Sequence, residues 1–213
     1  MPKNKPWEQT RLGRAPAGTR ERRKVLIVCE DSKSSRYYFE SFPVDQERIE
    51  VSVIGTGMNT DSLVEEAARK MEQAAKSRLP YSDIWCVFDR DSFPLENYTR
   101  AFQLAKNNKI KVAWANEAFE LWYLLHFCYF DTGISRDQYK EKLRQGGLDY
   151  DKADKTIYEK VKLFQERAIK NAARLEKHWN DSVKRDPERE NPSTSVHKLV
   201  EYLNDLADLG NID

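Results

Sequence analysis

Two carboxylates one residue apart, Asp89 and Asp91, stand at the end of an apolar run in the stretch DIWCVFDRDSFP (83–94). A third acid, Glu30, directly follows another apolar run, KVLIVC. Carboxylates are costly to bury unpaired, so acids delivered to the mouth of buried strands call for a cation, basic side chains or water. Gathered in one place, the three would repel one another unless a divalent cation neutralised them, and hard oxygen donors of this kind suit Mg²⁺ or Mn²⁺. One or two such ions align a phosphodiester and a water for in-line attack. On this reading Asp89 and Asp91 hold the metal, and Glu30 is a further ligand or takes the attacking water's proton.

Other residues near these acids have two readings each. Lys33, Arg36 and Arg90 are candidates to hold a scissile phosphate, against the ordinary fate of loop cations, which is to face solvent. Asp31 and Glu120 are candidates for a supporting position around the metal, and Glu120 is equally a helix-start acid favoured by the dipole. His126 is a further supporting candidate, set against a satisfied core histidine beside Phe119 and Trp122. Trp85, Trp114, Trp122 and Tyr123 read as core, with stacking on a base as the alternative for any exposed member.

The elements that must position these residues follow from periodicity. Within an expected strand over 23–29, residues 25–29 form a continuous apolar run, as do residues 84–88, the pattern of strands buried on both faces. Residues 49–54 (IEVSVI) and 110–115 (IKVAWA) add two more strands. Helical spacing marks 32–42 with Ser32 as cap, 61–77 capped by Asn59 or Thr60, and 95–107. Asn116 is predicted to cap a helix, EAFELWYLLHF, whose first-turn acids Glu117 and Glu120 look toward the strand ends. The order β-α-β-α-β-α-β predicts an α/β fold: a four-stranded parallel sheet flanked by helices, in the order 2-1-3-4. That order sets Glu30 beside Asp89 and Asp91 at the switch point, where open α/β sheets bind ligands. From residue 131 the chain becomes long, highly charged amphipathic helices, about 135–145, 154–180 and 194–208, the last capped by Ser193 or Thr194. They are expected to form a helical appendage (131–213) packed on the core (24–130).

Composition bounds the rest. The 213 residues suffice for one sizeable domain, and 36 basic against 35 acidic side chains leave net charge silent about a nucleic-acid partner. Residues 1–23 read as a flexible basic arm, of a kind that can lie along phosphates. No apolar run of about 18 residues or secretion signal is seen, so a cytoplasmic, non-membrane protein is expected. Cys29, Cys86 and Cys128 are an odd number, far apart in apolar stretches. They are expected to be reduced core residues, not disulfides or zinc ligands.

Four stretches together, VCEDSKSSRYYFESF (28–42), DIWCVFDRDSFP (83–94), AFELWYLLHF (118–127) and NPSTSVHKLVEYL (191–203), resemble the RloB-like family. Glu30 with Asp89-Arg90-Asp91 is similar to the acidic motif of Toprim domains. The resemblance implies a Toprim-like (Rossmann-like) fold and a Mg²⁺-dependent nuclease with catalytic and metal-binding Glu30, Asp89 and Asp91. It also implies a role in antiphage abortive infection, often beside an ATPase encoded nearby. An RNA substrate, tRNA in particular, is the expectation by analogy with defence effectors that pair with ATPases. The alternatives are a DNA-cleaving enzyme and a catalytically silent scaffold for the ATPase; a homo-oligomer is also open. The chain departs from the family in Glu30-Asp31, where members usually have Glu-Gly, in Ser34-Ser35, where Thr-Glu is frequent, and in Ala115-Asn116-Glu117, where Ser-Asn-Pro is usual. A receiver domain would need a fifth strand followed by Lys. A haloacid-dehalogenase phosphatase carries its Asp-x-Asp after the first strand, not the third.

Overall fold

The computed structural model describes residues 23–44, 49–56, 60–77, 80–90, 95–181 and 190–211. Strands β1 (Arg23–Cys29), β2 (Ile49–Gly55), β3 (Asp83–Asp89) and β4 (Lys111–Asn116) pair in parallel in the order β2-β1-β3-β4. The apolar runs become the two central strands because only there is a strand covered on both faces: Val25–Cys29 and Ile84–Phe88 are all buried. A two-residue strand, β5 (Ser193–Thr194), closes the sheet antiparallel to β4, an edge the local pattern does not announce. Its Thr194 hydroxyl donates to the Trp114 carbonyl at 2.8 Å, and the Trp114 N–H donates to the Ser195 hydroxyl at 3.1 Å.

Side-chain alternation divides the core. Leu26, Val28, Cys86 and Phe88 face helices α2 (Thr60–Ala75) and α3 (Leu95–Asn107). Val25, Ile27, Trp85 and Val87 face helices α1 (Ser34–Glu40) and α4 (Glu120–Phe127) and share that cluster with the later helices. Helices on both faces of a mostly parallel sheet make the fold Rossmann-like α/β, as expected. The basic arm falls on residues 1–22, outside the described residues, while Arg23 already opens β1.

Several local expectations are corrected. Ser32 does not cap α1; the Asp31 carboxylate accepts the Ser34 N–H at 2.7 Å and the Lys33 N–H at 3.2 Å. Asn116 ends β4, and its side-chain amide donates to the Glu190 carbonyl at 3.1 Å, so α4 starts only at Glu120. The expected helix over 154–180 is broken into α6 (Ile157–Val161), a 3₁₀ turn (Lys162–Phe164) and α7 (Gln165–Asn180), after α5 (Arg136–Gln145). The break lets Tyr158 pack on Tyr38 and Phe42, at ring separations of 5.3 and 5.4 Å, while α7 lies along α4. One straight helix could not serve both neighbours. Cys128 is exposed, unlike Cys29 and Cys86, because it is the first residue past α4. Thr194 does accept the first N–H of α8 (Val196–Asn211), at 3.1 Å from Val196.

Candidate active site

The ends of β1, β3 and β4 meet α4 and α5 at one edge of the sheet. The ladder continues past the strands there: the Glu30 N–H donates to the Val87 carbonyl at 2.8 Å, and the Arg90 N–H to the Ala115 carbonyl at 2.7 Å. These bonds fix where Glu30 and Asp89 leave the sheet. The Glu30 carboxylate (Oε2) accepts the backbone N–H of Asp89 at 3.1 Å, although the two are 59 residues apart in the chain. Gly55, at the end of β2, braces the loop that carries Glu30. A Cβ there would sit 2.6 Å from Ser32 Cα and 2.9 Å from the Asp31 carbonyl oxygen, so no other residue fits without moving the loop.

Asp89 is the electrostatic centre of this edge. Burial, and then the nearby carboxylate of Glu120, push its carboxyl well above the usual carboxylate range, with Glu30 adding to the effect. Two groups oppose the shift. Arg136, from the first turn of α5, donates to Asp89 Oδ2 at 3.0 Å, and the Phe119 N–H just before α4 donates to the same carboxylate. Glu120 is buried on the first turn of α4 and accepts a hydrogen bond from the Tyr150 hydroxyl at 2.6 Å. That hydroxyl is itself held protonated far above the ordinary tyrosine value, by burial and by Glu120. The Asn116–Glu117 peptide at this edge is cis.

The fold therefore brings together Glu30, Asp89 and Glu120, each from a different element. Asp91 lies outside the described residues. Among the described residues no group of three His, Cys, Asp or Glu side chains stands ready-made to hold a metal ion. The remaining candidates separate. The Asp31 carboxylate accepts the N–H of Ser34, the first residue of α1, and has Lys152 3.5 Å away. Lys33 is exposed on the Glu30 loop. Arg36 is drawn to Glu40, one turn along α1, at 2.7 Å. Arg90 turns to the opposite face of the sheet, its guanidinium 5.3 Å from the Tyr98 ring centroid. His126 is a core residue: it is fully buried, with Nδ1 2.9 Å from the Trp122 carbonyl and its ring packed on Trp122 and Tyr38.

Arg136 and Tyr150 were missed from the sequence. Both come from the charged helical region, where neighbouring residues look like a solvated surface. One signal was available for Arg136, since a cation in the first turn of a helix opposes the dipole and needs an anionic partner to justify it.

The family model described as RloB-like protein matches residues 25–203, from the third residue of β1 to the middle of α8. No curated protein and no solved structure matches the chain.

Proposed function

The chain belongs to the RloB-like family, and on that premise we propose that it is a divalent-metal-dependent, Toprim-type endonuclease. It hydrolyses phosphodiester bonds in RNA, with tRNA the favoured substrate, and acts as an antiphage effector beside an ATPase partner. The observation that carries this reading is that the Glu30 carboxylate reaches the Asp89 backbone N–H at 3.1 Å at the edge where open α/β sheets bind ligands, with Glu120 close enough to repel the Asp89 carboxylate.

The donor set suits a hard cation. The Asp89 carboxylate, whose charge burial already disfavours, gains from a divalent ion, and Mg²⁺ or Mn²⁺ prefers carboxylate oxygens. Glu30, Asp89 and Asp91 would hold the ion, which when bound would polarise the scissile phosphate and acidify a water. The chain's own groups do the rest. Phe119 N–H and Arg136 orient Asp89, and Tyr150 keeps Glu120 in place behind it. Arg136 would also share a phosphate oxygen of the substrate, alongside the candidates Lys33, Arg36 and Arg90.

The test is cleavage of purified tRNA, other RNA and plasmid DNA by the full-length chain with Mg²⁺ or Mn²⁺, with and without the co-encoded ATPase. Asp89→Asn and Glu30→Gln are expected to lower the rate at least about 100-fold, since each removes a group that charge stabilisation depends on. Equal cutting by wild type and both variants would assign the activity to a contaminant and reject the proposal. So would intact substrates under every condition.

A further inference from the structure

The strand-end edge that carries the acids has a second side. Along β4, Trp114 stands opposite Phe88, one rung before the Asp89–Ala115 pair, and strand alternation sends these two side chains to the face opposite Asp89. At the β5 edge of that face Trp114, Tyr98 and Phe102 are met by Trp179 of α7, which packs with the other face's cluster, around a cavity of about 390 Å³. Arg90, the residue after Asp89, links the two sides by laying its guanidinium over Tyr98.

The walls are rigid. The Tyr98 and Phe102 rings meet edge to face at 4.9 Å, and Trp114 meets Tyr98 at 6.1 Å. The Trp179 indole N–H is fixed on the Pro192 carbonyl at 2.8 Å. The hydroxyls of Ser193 and Thr194 are spent on the Glu190 and Trp114 carbonyls. The Ser195 hydroxyl is likewise engaged, accepting the Trp114 N–H; polar recognition falls to exposed Thr99, to Glu190, an acid in the lining, and to the Lys198–Glu176 ion pair, which offers a donor and an acceptor side by side at 2.5 Å. Aromatic faces with a donor–acceptor pair at the rim match a flat heterocycle whose edge carries both kinds of group. The volume lies at the lower end of the roughly 300–1,000 Å³ typical of small-ligand sites, suited to one base with its sugar. Arg90, over the Tyr98 ring beside the cavity, supplies positive charge for an adjoining phosphate, while Lys198 is shared with Glu176.

We propose that this cavity receives one unpaired nucleobase of the strand being cut, a placement that rests on the nuclease reading and adds a specificity pocket to it. Extruding a base costs least where it is already unpaired, so loops and single strands are the preferred targets.

The test is binding of labelled single-stranded RNA to the full-length chain in EDTA, read by fluorescence anisotropy, so that no cleavage is needed. Thr99→Trp fills the cavity from its exposed rim, and Phe102→Ala removes a wall. Each is expected to weaken binding about 10- to 100-fold, the range that base–aromatic stacking commands. An oligonucleotide with an abasic position at the preferred site should bind wild type as weakly as the variants bind the intact strand. Should Phe102→Ala fail to fold, Thr99→Trp with the abasic strand still decides. Unchanged affinity in Thr99→Trp, or full affinity for the abasic strand, overturns the pocket while leaving the nuclease reading to its own cleavage assay. AMP, GMP, CMP and UMP form a separate arm: saturation by a mononucleotide without strand binding would make the ligand a free nucleotide and overturn the proposal.

Discussion

At the residue scale, the acids at the sheet edge are held by neighbours as much as by their own positions. Asp89 keeps its place through Arg136 and the Phe119 N–H, Glu30 through the Asp89 N–H, and Glu120 through Tyr150. Tyr150→Phe leaves a buried carboxylate oxygen without its donor. It is expected to cost about 1–3 kcal/mol of folding stability, measured by denaturant titration, and to lower metal-dependent cleavage without abolishing it. A change below about 0.5 kcal/mol, the scatter of ordinary surface substitutions, would show that the Tyr150–Glu120 bond does not hold this edge together. Glu30 and Asp89 were legible because each ends an apolar run at a point where the chain must turn polar. Arg136 and Tyr150 were not, because their meaning depends on partners 47 and 30 residues away.

At the scale of elements, the central strands and α3 could be read directly, since burial on both faces writes a continuous apolar run and burial on one face writes a stripe. The start of α4 could not. Asn116 looks like a cap in its local window, yet its amide is taken by the Glu190 carbonyl 74 residues later. Ser193 and Thr194 likewise read only as caps of the last helix, and they also prove to be the closing strand of the sheet. Helix α4 is also unusual in being buried from Glu120 to His126 without interruption, between the sheet and α7. Among the connections, Gly55 carries the clearest prediction. Gly55→Ala forces the end of β2 against Ser32 Cα and the Asp31 carbonyl. It is expected to destabilise the protein by about 1–3 kcal/mol, as overpacking does, and to lower cleavage by displacing the Glu30 loop. Thermal unfolding and rate measurements on the same sample check both effects; a variant as stable and as active as wild type would mean the loop yields freely.

At the scale of the whole molecule, the helices after residue 131 share one apolar cluster with a face of the sheet, and they return to the site through Arg136 and Tyr150. His126 lies inside that cluster. Burial lowers its pKa from 6.5 to about 4, so the folded protein keeps it neutral where the unfolded chain would already be protonated. The unfolded state then binds more protons between these values, and stability falls as pH drops from about 6.5 toward 4. The full shift corresponds to about 3 kcal/mol at one pKa unit per 1.36 kcal/mol. His126→Phe, which keeps an aromatic ring beside Tyr38 and Trp122, should flatten that acid limb in urea titrations across this range. An acid limb identical to wild type would place the loss in other groups. The gathered acids themselves are tested most directly by titrating Mn²⁺ into the full-length protein and following the free ion by electron paramagnetic resonance. Saturable binding to wild type, weakened at least about tenfold in both Glu30→Gln and Asp89→Asn, is the expected result given what a lost carboxylate ligand costs a hard-cation site. Binding of equal strength in all three proteins, or none in any, would contradict a metal centre built from these two strand ends.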